Sequence, residues 1–157
     1  SSNDMSNAKL DVTHSNGYTK EQSREYLEDA IDYTMQLDDI QIDVCDDINN
    51  TKTIYLLRNG YIYENGESTG TKILTSDILT DTVPVIEQLK DAEYLNSVEQ
   101  YDMFTIKLDN IKYQINTSTN NDGQKFIKSI FRFVDPDGIG GETDLTVSIR
   151  DKSDFPD

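Results

Sequence analysis

The segment TIYLLRNGYIYENG, Thr53 to Gly66, constrains the fold more than any other stretch of this chain. Asn59-Gly60 is the preferred pair for a two-residue type I′ turn, whose twist matches that of the strands it joins. Such a loop allows one register. Arg58 faces Tyr61, Leu57 faces Ile62, Leu56 faces Tyr63 and Tyr55 faces Glu64. Directly opposed residues share a face of the sheet. One face of the hairpin then carries Tyr55, Leu57 and Ile62, and the other carries Ile54, Leu56, Tyr61 and Tyr63. Both faces are apolar, which is not the pattern of a hairpin with one side in water.

A second hairpin gives the contrast. MFTIKLDNIKYQIN turns at Asp109-Asn110 and pairs Leu108 with Ile111, Ile106 with Tyr113 and Phe104 with Ile115. Those six residues share one face, while Thr105, Lys107, Lys112 and Gln114 share the other, so this hairpin is half-buried. The following segment, KFIKSIFRFV, is again two-sided under strict alternation: Phe126, Ile130 and Val134 against Ile127, Phe131 and Phe133. Leu145, Val147 and Ile149 alternate with polar residues in TDLTVSIRD, and Ile40, Ile42 and Val44 do so in IQIDV; TKIL adds a short strand.

Helical periodicity appears at Tyr26, Leu27, Ala30, Ile31, Met35 and Leu37, behind the capping-box pair Thr19 and Gln22. The opposite face of that helix is acidic, with Glu21, Glu25, Glu28, Asp29 and Asp32. SDILTDTVPVIEQLKDAEYLNSV predicts one or two further helices, capped at Thr82 ahead of Pro84, with a buried stripe of Val85, Ile86, Leu89 and Leu95. The order of elements predicts an α+β domain over residues 19–157: a curved antiparallel sheet, half-barrel-like, packed with an N-terminal helix and a central helical insert. The polar leader SSNDMSNAKLDVTHSNGY, residues 1–18, reads as a flexible tether.

Charge and residue counts narrow the function classes. The chain has 157 residues and a net charge of −16, from 14 Lys/Arg and 30 Asp/Glu. A nucleic-acid binder neutralises phosphates with Lys and Arg, so this chain is not expected to bind nucleic acid. Residues 1–50 hold 12 of the acids against 3 basic residues, which concentrates the negative charge in the first third. His14 is the single histidine and Cys45 the single cysteine, so nucleophile–histidine schemes, His/Cys zinc sites and an internal disulfide framework all lack their residues. No apolar run is long enough to span a membrane as a helix.

Two motifs invite a chemical reading. DPDGIGGETD places Ile139 where an EF-hand loop needs its fifth-position ligand and Thr146 where it needs a closing Glu. An Asp-Pro-Asp-Gly turn accounts for the segment, with a weak Ca²⁺ site at Asp135, Asp137, Glu142 and Asp144 as the alternative. The pairs Asp38/Asp39 and Asp46/Asp47 flank IQIDV, where they blunt a strand edge rather than converge on one cleft. We therefore expect no enzyme, no cofactor and no metal.

What covers the second face of the two-sided strands is then the central question. The chain's own helices, a small apolar ligand and another protein are three answers. The leading helix, the IYLLRNGYIYENG hairpin, the central insert and the closing meander YQINTSTNNDGQKFIKSIFRFVD together resemble extracytoplasmic bacterial lipoproteins of the LolA-like and LprG-like kind, over residues 19–155. That resemblance implies a half-barrel sheet that holds hydrophobic ligands under a helical lid. The chain begins Ser1-Ser2-Asn3-Asp4, as mature lipoproteins do after their lipidated cysteine, which implies a cell-surface or membrane-anchored location through an N-terminal lipid. The expected binding residues are Tyr55, Leu57, Ile62, Tyr61, Tyr63, Phe131 and Phe133, and the expected partner is a hydrophobic small molecule or a protein. An acidic inhibitor that imitates nucleic acid with its first third is the rival reading.

Overall fold

A computed structural model describes residues 19–37, 39–58, 61–64, 67–72, 84–98, 101–133 and 142–151. The leader with His14, the tip pair Asn59-Gly60, the segment 73–83 with Thr82, and the loop holding Asp135 and Asp137 lie outside the described residues.

Thr19 caps helix α1 (Lys20–Thr34) with the reciprocal pattern expected: its Oγ1 accepts from the Gln22 N–H at 3.1 Å, and its own N–H donates to Gln22 Oε1 at 2.9 Å. Among the described residues nine strands follow: β1 (Ile40–Asp46), β2 (Thr51–Arg58), β3 (Tyr61–Glu64), β4 (Glu67–Lys72), β5 (Glu93–Val98), β6 (Met103–Leu108), β7 (Ile111–Thr119), β8 (Lys125–Phe133) and β9 (Thr143–Asp151). They form one open, curved antiparallel sheet in the order β4-β3-β2-β1-β9-β8-β7-β6-β5. The α+β class is therefore as the sequence predicts.

Both hairpin registers are the ones that two-residue loops dictate. Leu57 pairs with Ile62 and Tyr55 with Glu64, while Ile106 pairs with Tyr113 and Phe104 with Ile115. Asp109 and Asn110 both have positive φ, 51° and 66°, the signature of a type I′ turn. Residues other than glycine seldom adopt this region, and Asn and Asp tolerate it best.

The central helical insert is not as predicted. Among the described residues of that stretch, a short 3₁₀ helix (Ile86–Asp91) ends where Ala92 turns extended, and Glu93 to Val98 is strand β5. Ile86 and Leu89 are buried as expected, but Leu95 stands half-buried on an edge strand. The cause is tertiary: Tyr101 takes φ 70° and folds β5 back onto β6, so Tyr94 packs edge-on against Phe104 in the core. A hairpin partner outweighs a weak helical periodicity in so short a segment.

The core lies on one face of the sheet. Leu27, Ala30 and Ile31 of α1 join Ile42, Leu57, Ile106, Ile115, Ile130 and Val147 in a single buried cluster. The helix lies against β8, β5 and the 3₁₀ helix, and Arg24 fixes the last of these by donating to the carbonyls of Lys90 and Ala92. Ser23, Ser97 and Tyr94 make a small polar node inside this layer, with the two serine hydroxyls 2.9 Å apart. Burial pushes the Tyr94 phenol above its ordinary pKa, an effect that the neighbouring Ser23 and Ser97 hydroxyls partly offset.

Candidate functional site

Alternation along each strand assigns every side chain to the helix-covered face or to the opposite one. On that opposite face β3 presents Tyr61 and Tyr63, β2 presents Lys52, Ile54, Leu56 and Arg58, and β1 presents Gln41, Asp43 and Cys45. Beyond them β9 presents Thr146, Ser148 and Arg150, and β7 presents Lys112, Gln114, Asn116 and Ser118. Among the described residues no helix covers this face.

Strand β8 departs from simple alternation. Thr117 pairs with Ile127 and Asn116 with Ser129, which leaves Lys128 as an extra residue with no partner on β7. This β-bulge lets Ile127 and Ile130, three positions apart, both enter the core, while Phe126 and Phe131 both face away from it. The two-face division expected from strict alternation, Phe126 with Ile130 against Ile127 with Phe131, is thus corrected by one inserted residue. A second irregularity, between Arg132 and Phe133, leaves the Phe133 ring under the Lys112 ammonium, 5.6 Å from the ring centroid.

The seven expected binding residues do not form one site. Leu57 and Ile62 are buried in the core and Tyr55 packs against it, so these three belong to the helix-covered side. Tyr61, Tyr63, Phe131 and Phe133 lie on the helix-free side, in two groups. Tyr61, 44% exposed, and half-buried Tyr63 stand with Ile54 and Leu56 near one end of the sheet, where Arg58 lies 6.0 Å from the centroid of the Tyr63 ring. Phe131 and Phe133 stand with Phe126 on β8, three strand spacings away from β2, or about 14 Å. Phe126, Lys128, Ser118, Ser129, Ser148 and Arg150 are residues the sequence reading did not include. The break of alternation at Lys128-Ser129, between two apolar pairs, is the signal that points to them.

Two of this group, Phe126 (only 3% exposed) and half-buried Phe131, line an open pocket of about 370 Å³ together with Ser118, Ser129, Ser148, Lys128 and Arg150. Asn116 Nδ2 donates to Ser129 Oγ at 3.1 Å, and Arg150 donates to Gln41 Oε1 at 3.2 Å. A larger groove, about 440 Å³, runs between α1 and the β7–β8 turn and is lined by Tyr26, Asp29, Asp32, Tyr33, Gln36 and Gln124. Its polar groups are largely engaged. The Tyr26 ring stacks on Tyr101 at 4.2 Å with the Lys125 ammonium 5.5 Å from its centroid, Asp32 pairs with Lys90, and the Tyr33 hydroxyl accepts from Asn120. The smaller, apolar pocket is the better candidate for a hydrophobic ligand.

Glu142 and Asp144 of the acidic loop are described, and Asp144 is engaged by Arg132 at 3.0 Å. Among the described residues no cluster of three or more His, Cys, Asp or Glu is placed to hold a metal ion. Asp46 spends its carboxylate on the β1–β2 turn, where hydrogen bonds from Asn49 hold its pKa below the usual carboxylate value. Comparison of the chain with protein-family models, with curated proteins and with solved structures finds no match.

Proposed function

We propose that the chain is a non-enzymatic binding module that holds a hydrophobic ligand on the helix-free face of its sheet, as a half-barrel carrier does. One observation carries the reading: a β-bulge brings Phe126 to the same face as Phe131, and the two line a pocket of about 370 Å³. The part of the half-buried Phe131 and Phe133 rings still open to water is favourable to cover, at roughly 25 cal/mol per Å² removed from water. Bulges recur where a sheet re-aims side chains toward a site. The resemblance to extracytoplasmic lipoproteins supports the same reading and adds a lipid-anchored location at the cell surface.

Native mass spectrometry of gently purified protein, together with titration of an uncharged lipophilic dye such as Nile red, tests the proposal. A retained hydrophobic mass, or dye fluorescence that rises on binding and is lost in Phe126→Ser/Phe131→Ser, is expected. Protein that emerges unliganded and leaves the dye unchanged overturns it.

A further inference from the structure

We infer that the pocket between Phe126 and Phe131 is a subsite for a small organic anion, an apolar chain or ring ending in a carboxylate, whose charge is met by Lys128 and Arg150. This rests on the binding function proposed above and adds the class of ligand.

Charge complementarity carries the argument. The chain as a whole is at −16, yet Lys52, Arg58, Lys107, Lys112, Lys128 and Arg150, six of its 14 Lys/Arg, stand on this one face. Asp47, at the far end of this face, accepts from the Thr146 hydroxyl at 2.9 Å. Asp43 lies across from Ser148 but is held by Lys52 at 3.3 Å, and Glu93 stands opposite Lys107 at the sheet edge. Asp102, near Lys128 on the adjoining surface, is held by Lys125 at 3.3 Å. Among the described residues neither Lys128 nor Arg150 is paired with a carboxylate; Arg150 has only the neutral Gln41 amide.

The acids of α1 do not cancel this local field. They lie beyond the sheet, about 10 Å away, which exceeds the screening length of about 8 Å at physiological ionic strength. Lys128 owes its place at the pocket margin to the bulge, since it is the unpaired extra residue of β8. The pocket is also at the small end of the range for ligand sites, which suits a chain of about eight carbons or a single aryl ring. A carboxylate met by an ammonium and a guanidinium forms charge-assisted hydrogen bonds, about twice as strong as neutral ones.

The test compares octanoate, octan-1-ol and octyltrimethylammonium by amide shifts of Ser118, Ser129 and Ser148 in ¹⁵N-labelled protein at low salt. Octanoate is expected to bind about tenfold tighter than the alcohol, and the cation not at all. That preference should vanish in Lys128→Gln/Arg150→Gln, whose exposed positions leave the fold intact, and should shrink in the unaltered protein as salt is raised. Equal binding of octanoate and octanol overturns the anion subsite but leaves the hydrophobic function standing. Failure of both to bind while Nile red still does removes the subsite alone, and failure of all three, with no hydrophobic mass retained, removes the underlying function as well.

Discussion

Thr34 shows at the scale of one side chain how α1 and the bulged strand hold each other. Its Oγ1 accepts the backbone N–H of Ile127 at 2.7 Å and donates to the carbonyl of Ala30 at 2.6 Å, and the residue is fully buried. Ile127 adjoins the inserted Lys128, where the β8 ladder is interrupted. A threonine at the end of a helix thus supplies an acceptor that the sheet does not. Thr34→Val keeps the shape and removes the acceptor, leaving a buried N–H without its partner. Such a loss costs roughly 1–3 kcal/mol, more than a typical exposed hydrogen bond contributes. Urea unfolding should show a lowered midpoint with an unchanged slope, because the surface exposed on unfolding stays the same. A midpoint equal to that of the parent protein would mean that Ile127 finds another acceptor.

At the scale of elements, the two hairpins and the bulge divide what can be read from a sequence from what cannot. A two-residue loop permits one register, so Leu57 with Ile62 and Ile106 with Tyr113 follow from the turn residues alone. The 3₁₀ helix and β5 do not follow in this way. Tyr94, Leu95 and Val98 have a period that suits either state, and β6 decides between them from outside the segment. The bulge leaves only a faint mark, a lysine and a serine where an apolar residue is due, and with it goes the identity of the phenylalanines on the helix-free face. The candidate site was therefore legible as a property, apolar residues on two faces, but not as a set of residues. The β6–β7 turn also suggests a direct test of the turn argument. Asn110 sits at φ 66°, a region glycine enters at no steric cost. Asn110→Gly should stabilise the fold by about 0.5–1 kcal/mol, in the range of other turn and cap improvements, and raise the thermal midpoint by a few degrees. A lowered midpoint would show that the Asn side chain contributes more to the turn than its backbone strain removes.

For the molecule as a whole, the governing feature is that, among the described residues, the α-helix and the short 3₁₀ helix lie on one side of a nine-stranded sheet. Leu56 and Leu57 put this to a test with chemistry held constant, since they are neighbours on β2 and differ only in the face they occupy. Leu57 is fully buried among α1 and the core strands, while Leu56 is half-buried beside Tyr63 on the helix-free face. Removing three carbons from a closed core leaves a cavity, and Leu→Ala there costs about 2–5 kcal/mol. On a face open to water no cavity forms, and only the part of the side chain already removed from solvent is lost, about 1 kcal/mol or less. Leu57→Ala should therefore destabilise the protein at least twice as much as Leu56→Ala when both are measured by denaturant unfolding. Equal costs for the two leucines would mean that both faces are closed by the chain itself, and the case for an open binding face would end there.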